Sequence, residues 1–482
     1  MAEIGEIDAL GLTALYLAAA QNNIAAVKTL ATAERQANGL DIECGVGRET
    51  ALYAAAKFHS EAAVKVLAEA GANLDIKCGA HGGTALYIAA QQNNIEVIGA
   101  LAAAGAGLDV KCGESGETAL FAAARQNRSE AVRALAKAGA RLNLKCGANN
   151  ATPLLVAVQK RNMETVKTLI EVRVDLNIKS GKESKTALRT ALEAESADLV
   201  QLLREGGAKD LHSAALLNDV KMVQECTVTR DDSASAARVK AALDEKDANG
   251  ETALCVAARM NCAQAITALA AAGASLDIGC GKDDVTALAV AVKRRNVEAV
   301  EALGAAGAAF DVKRKAHGET SLYAAVLHND ERLVEALAQG GAKLDVKCGE
   351  MGETALFCAA RKNFAGVVKV LIAAKAALDI RCTEYNETAL YAAAQQGSVE
   401  AVAAIAEAGA TLDLQCGAYK ETALYAAAQQ NNADLIRVLT KAGADLEKEC
   451  GVFGFTAKDI AESHGNTAAI KALKAAGAGA EL

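Results

Sequence analysis

Nine cysteines, Cys44, Cys78, Cys112, Cys146, Cys280, Cys348, Cys382, Cys416 and Cys450, each stand six residues before a threonine. Thiols in such register could ligate a metal, form disulfides or respond to oxidants. A structural zinc site gathers several ligands around one ion, usually at C-x-x-C or similar spacing, and the chain contains no C-x-x-C. Thiols on successive packed copies stand roughly 10 Å apart, beyond the roughly 4.4–6.8 Å between the Cα atoms of a disulfide. The column therefore reads as a small, weakly polar packing position in a hairpin, with redox sensitivity and metal binding as the alternatives. Cys226, Cys255, Cys262 and Cys358 read as core thiols. Reduced thiols predict an intracellular, cytoplasmic setting and leave nuclear placement open.

Other chemistry finds no constellation. The six histidines are scattered: His81 and His317 in hairpins, His59, His328 and His464 near helix ends, and His212 at a helix start. Neither an HExxH pair nor a phosphate loop occurs. Gly279-Cys280-Gly281-Lys282 belongs to the hairpin column, not to a strand-to-helix cradle. No serine has a spatially argued base partner. We assign no catalytic residue, no cofactor and no metal ligand, and expect a protein that is not an enzyme.

What must position the cysteines is a repeat. Threonines recur every 34 residues at Thr50, Thr84, Thr118, Thr152 and Thr186, and again from Thr252 through Thr286, Thr320, Thr354, Thr388 and Thr422 to Thr456. Thr13 opens an earlier copy and Leu211–Ala215 a degenerate one, giving fourteen. After each threonine an alanine-rich stretch suits a short helix. Asn127 and its equivalents, Asn93, Asn261, Asn363, Gly397 and Asn431, suit the positive φ of a sharp turn. His59, Arg161, Glu195 and Arg295 break this pattern and imply strain. In a second helix, about Ser129 to Ala138, Ala131, Val132 and Leu135 form an apolar face. Gly139 would end it in a left-handed conformation, as would Gly71, Gly105, Gly273, Gly307, Gly341, Gly409, Gly443 and Gly477, with Arg173 and Lys375 as exceptions. A projecting hairpin follows. Such units cannot bury a full face alone, so they must stack into an all-α repeat solenoid. Hydrophobic residues at 52% with a single proline argue against disorder.

In this pattern the sequence resembles the ankyrin repeat family, whose signature is T-P-L-H followed by Ala-Ala and later Gly-Ala. Here Thr50-Ala51-Leu52-Tyr53 and Thr422-Ala423-Leu424-Tyr425 stand in its place, and Pro153 alone fills the family's proline position. The period of 34 in place of 33 implies one extra hairpin residue. Tyr53, Tyr87, Tyr323, Tyr391 and Tyr425, with Phe121 and Phe357, form a structural column where the family carries histidine. The resemblance implies that Thr456-Ala457-Lys458-Asp459 opens a polar terminal cap, so a complete stack is expected at that end. His212 lies only 23 residues after its counterpart Arg189 and 43 before Cys255. One hairpin is thus nearly removed and extra material added, including a cap and a helix from about Ser233 to Leu243. We expect three regions, 1–204, 205–250 and 251–482, with a bend or offset in the second.

The resemblance also implies a concave groove lined by the ends of the first helices. The candidates are Lys57 and Phe58, Gln91 and Gln92, Arg125 and Gln126, Gln159 and Lys160, Arg259 and Met260, and Lys293 and Arg294. Leu327 and His328, Arg361 and Lys362, Gln395 and Gln396, and Gln429 and Gln430 continue the series. These pairs vary between copies while packing positions repeat. The strip is glutamine-rich at both ends and basic from Arg259 to Lys362, which suits one or more proteins with acidic or polar segments. The expected function is a non-catalytic protein-interaction scaffold. The alternative is a nucleic-acid-binding module using the basic centre. A net charge of −8 gives no global attraction to phosphate. Hairpin acids Glu114, Glu117, Glu350, Glu353, Glu384, Glu387 and Glu421 would form an opposing rim that repels it. No apolar run reaches the length of a membrane span, and the first residues do not read as a signal peptide.

Overall fold

Each repeat begins with a cap. Thr118 holds an extended backbone (φ −85°, ψ 165°) and its hydroxyl accepts the Phe121 N–H, which starts helix Ala119–Arg125. Thr50, Thr84, Thr152, Thr320, Thr354 and Thr422 do the same. Such a cap stabilises a helix by about 1 kcal/mol, a large share for a helix of two turns. Asn127 then turns the chain at φ 58°. Helix Ser129–Ala138 buries Ala131, Val132 and Leu135 and ends on Gly139 at φ 98°.

The computed structural model describes residues 12–36, 39–228, 233–312, 318–349, 351–382, 385–451 and 453–479. The chain divides into two compact units, Met1–Ser213 and Ala214–Leu482. Among the described residues there are fourteen helix pairs and one additional helix, Ser233–Leu243. Within each unit, first helices pack on first helices of neighbouring repeats and second helices on second. Leu52, Leu86, Leu120, Leu135 and Phe357 are fully buried between them. The hairpins are tight fingers in place of extended strands: Cys112 and Glu117 exchange both backbone N–H···O=C bonds, at 2.7 and 2.9 Å.

Side chains stitch each repeat to the next. The Asp75 carboxylate accepts the Gly107 N–H at 2.8 Å, and Asp345 accepts that of Ala377 at 3.0 Å. Asn93 and Asn261 accept the N–H groups of Ala131 and Ala299 on the following copy, at 2.9 and 3.0 Å. Around 205–250 the same roles pass to other residues. Asp210 accepts the Thr186 hydroxyl at 2.7 Å and the Ser213 N–H at 2.9 Å, standing in for both a finger residue and a cap. In the second unit, Asp244 follows the helix Ser233–Leu243 and accepts the Ser275 N–H at 2.8 Å, taking the aspartate's role in the finger that leads into Thr252. The cap expected before Ser233 lies outside the described residues.

The turn exceptions adopt the strained conformation: His59, Arg161, Glu195 and Arg295 have φ of 61°, 57°, 51° and 61°, and Arg173 and Lys375 have 62° and 71°. Gly477 corrects the expectation made for it. It lies inside helix Thr467–Gly479, which runs on two residues past it and keeps its backbone right-handed. Leu120→Ala should cost about 2–5 kcal/mol in urea unfolding, through lost burial and the cavity left behind. Lys375→Gly should do the opposite, gaining up to about 1 kcal/mol by relieving the left-handed backbone; a loss would show that the lysine stem packs against something essential.

Candidate interaction surface

The cysteine column is interior. Cys112 Sγ sits 3.8 Å from the Thr84 hydroxyl, and Cys146, Cys348, Cys416 and Cys450 meet Thr118, Thr320, Thr388 and Thr422 at 3.6–3.9 Å. Each finger thiol thus packs against the helix cap of the repeat before it. Ser180 holds the cysteine place in one copy and meets Thr152 at 3.3 Å, so the position asks for a small, weakly polar atom. Burial pushes the thiols of Cys78, Cys112, Cys146, Cys416 and Cys450 up, which keeps them protonated and unreactive. Among the described residues no group of three or more His, Cys, Asp or Glu side chains could hold a metal ion.

Cys255 departs from its reading as a core thiol, and Cys280 from its reading as a packing thiol of the column: the two are joined by a disulfide, with Cα atoms 6.5 Å apart. The cause is the place of Cys255 in the tyrosine column. In other copies a ring there lies against the finger glycine, as Phe121 does beside Gly147 and Tyr391 beside Gly417. A cysteine there instead faces the finger thiol.

The tyrosines connect the interior to the groove. Tyr323 Oη donates to Glu353 at 2.7 Å, and Glu353 pairs with Arg361 at 2.9 Å. Tyr87, Glu117 and Arg125 repeat the chain at 3.0 and 3.1 Å, and Tyr16, Glu49 and Lys57 at 2.8 Å for both links. Burial, then the Glu117 charge, pushes Tyr87 up to about 12. Arg259 grips Glu251 with two bonds of 3.2 Å. Glu117 and Glu353 are therefore buried structural hubs, not members of an acidic rim; Glu421 accepts the Tyr391 hydroxyl at 2.7 Å. Glu350 and Glu384 lie outside the described residues.

Of the helix-end candidates, then, Lys57, Arg125, Arg259 and Arg361 are engaged by a glutamate eight residues earlier in sequence. Gln395 donates to Tyr391 Oη at 3.0 Å and Gln430 to the Gln395 carbonyl at 3.0 Å. Gln91 and Gln92 are half-buried. Phe58, Gln159, Lys160, Met260, Lys293, Arg294, Leu327, His328, Lys362, Gln396 and Gln429 are exposed. In the first unit, Gln91, Arg125 and Gln126 face Lys77, His81 and Glu114 of two successive fingers across an open cleft of about 1040 Å³. The helix ends and fingers thus share one wall-and-floor arrangement that a polar segment could enter.

Two features escaped the sequence reading. Lys77, Lys111 and Lys145 recur at 34-residue intervals immediately before the finger cysteines and are exposed on three successive fingers. Met351, Tyr385, Tyr419 and Phe453 recur at the same interval at fingertips, again exposed. Regular spacing was the signal available for both.

A stack of helix pairs with projecting fingers and a variable inner face defines a non-catalytic protein-interaction domain. Family models described as ankyrin repeats in three copies match residues 1–78, 74–146, 142–213, 211–316 and 322–416, and one for a single ankyrin repeat matches 419–449. The chain belongs to the ankyrin repeat family. Among solved structures, it is similar to the ankyrin repeat domain of Bcl-3, an IkappaB protein family member, at 24% identity over 47% of this chain and 99% of that one, with a TM-score of 0.42. The human ASB11 ankyrin repeat domain matches at 26% identity over 47% and 98%, with a TM-score of 0.37. The ankyrin repeat protein EF0377 matches at 24% over 39% and 96%, with a TM-score of 0.36. No curated protein matches. Among the described residues no helix is long and apolar enough to cross a membrane.

One copy carries the groove pair reversed: Lys185 bonds Glu193, which Arg189 also contacts at 2.8 Å. Burial raises the Glu193 pKa, but the bonds from Lys185 and Arg189 outweigh it and leave it lowered. The pair's stabilisation should thus be complete above the ordinary glutamate range and disappear as pH falls through the lowered value. Lys185→Ala should lose roughly 1 kcal/mol at neutral pH and much less at a pH where Glu193 is protonated. Denaturation curves in which Lys185→Ala costs the same at both pH values would break the pairing argument.

Proposed function

We propose that this protein recognises protein partners through the exposed helix ends and fingers of its two units, without turning over a substrate. The observation carrying this reading is the division among the groove cations. Those with a glutamate eight residues earlier are absorbed into the stack, whereas Lys160, Lys293, Arg294 and Lys362 stand exposed, with no ion pair among the described residues. Those four, with Lys77, Lys111 and Lys145 on the fingers, suit acidic or polar segments held by many spaced contacts. Partly neutralised cations make a weaker phosphate track than the sequence suggests, which favours a protein over nucleic acid. We further propose that 205–250 separates two recognition surfaces, 1–204 and 251–482. Ten buried cysteines outside the one disulfide, Cys255–Cys280, support a reducing, cytoplasmic setting.

The test is a salt titration of binding to aspartate-rich peptides and to single-stranded RNA. The peptides should bind and RNA should not compete at physiological salt. Replacing Lys293, Arg294 and Lys362 together by glutamate should weaken peptide binding by about tenfold or more without lowering the melting temperature. Retention of RNA with little peptide binding would establish the nucleic-acid alternative instead.

A further inference from the structure

We propose that the fingertips carrying Met351, Tyr385, Tyr419 and Phe453 form a ledge that binds a polyproline-II segment with an apolar side chain at every third residue. The proposal rests on the protein-recognition reading and names a partner chemistry for one part of the second unit. These four side chains are 61%, 50%, 66% and 82% exposed. Each stands three residues before an opening threonine, so they occupy one position on four successive fingers. Backbone bonds join three of the four fingers: the Gly417 N–H donates to the Tyr385 carbonyl at 3.1 Å, and that of Gly451 to the Lys420 carbonyl at 3.4 Å. Phe455 widens the last tip, its ring centroid 5.9 Å from that of Phe453.

The finger itself does not need an apolar tip. The same position carries Gly47, His81, Ser115, Asn149 and Glu183 in the first unit and Asp283 earlier in the second. Four successive large apolar residues exposed to water are unfavourable for solubility and are the usual mark of a contact surface. Tyrosine and phenylalanine are also among the side chains that anchor interfaces.

Spacing selects the occupant. Packed repeats are about 8–10 Å apart, and polyproline II advances about 9.3 Å per three-residue turn, returning every third side chain to one face. A β-strand alternates faces with period two, so its third residue would point away. An α-helix reaches similar spacing only at every seventh residue, about 10.5 Å, and its carbonyls are already bonded. Polyproline II leaves its carbonyls open, and the exposed Tyr419 hydroxyl and Lys420 ammonium offer donors beside the ring faces on which proline packs. Among the described residues Lys420 has no carboxylate partner, and Arg381 spends donors on the Asn386 and Gln415 carbonyls at 3.2 and 3.0 Å, so its charge also remains. Exposed Glu449 stands near Gly454, at the Phe453 end. Acidic residues of the segment therefore belong at the Tyr385–Tyr419 end.

The experiment is fluorescence anisotropy with the full chain and a labelled peptide of four Leu-Pro-Pro triplets preceded by two aspartates. Controls are the same composition with its leucines clustered, and a helical peptide with leucine at every seventh position. The triplet peptide should bind at least about tenfold more tightly than either control. Tyr419→Ser, and Tyr385→Ser, Tyr419→Ser and Phe453→Ser together, should reduce that binding, the triple variant by about tenfold or more, with unchanged circular dichroism and melting. Lys293→Glu, Arg294→Glu and Lys362→Glu together should leave it intact. Equal binding of the clustered or helical control, no binding of the triplet peptide, or full binding by the triple serine variant would overturn the ledge. If aspartate-rich peptides still bind and are lost only on the cation reversal, the ledge fails while the groove reading stands. If no peptide of either kind binds, both fail.

Discussion

A seven-residue helix in water forms too few backbone hydrogen bonds to offset the cost of nucleating it. The first helix of most repeats here has that length, so none can persist except against its neighbours. That dependence explains why so many side chains reach into the next copy. Asp75 and Asp345 bond backbone N–H groups 32 residues on, and finger thiols rest on the preceding threonine caps. Alanine at the helix contacts lets backbones approach, and the absence of tryptophan follows from the same close spacing.

The stack also decides which polar groups remain for a partner. The glutamate before an opening threonine is held by a tyrosine from one side and a cation from the other, as in Tyr323, Glu353 and Arg361. Where the glutamate is missing, as with Val285 eight residues before Lys293, the cation is exposed. A surface that looks uniformly basic in sequence is therefore divided by its internal partners into structural and available charge. The fingertips follow a similar logic: their backbone is fixed by the paired backbone bonds at the finger base, and the tip side chains stand exposed.

Features decided within one copy were legible. The threonine caps, the turn at Asn127 and the glycine at Gly139 depend on local backbone demands, and they stand where the spacing placed them. The helix Ser233–Leu243 was equally readable from its own residues. Contacts between copies were harder. That Arg125 serves Glu117 could have been read from the recurrence of a glutamate eight residues before a cation, and from its reversal at Lys185 and Glu193. The Cys255–Cys280 bond required knowing that the tyrosine column of one copy lies against the following finger. Asp244 stands 33 residues before Asp277, one short of the 34-residue register that marks the other aspartates, and the insertion before it hides that near match.

The division of charge is tested most directly by replacing each groove cation with alanine and measuring urea unfolding. Lys57, Arg125, Arg259 and Arg361 should each lose about 1 kcal/mol or more, since a half-buried or buried glutamate loses its partner. Lys160, Lys293, Arg294 and Lys362 should change by no more than about 0.5 kcal/mol. Similar losses in both sets, or no loss in the first, would contradict the account.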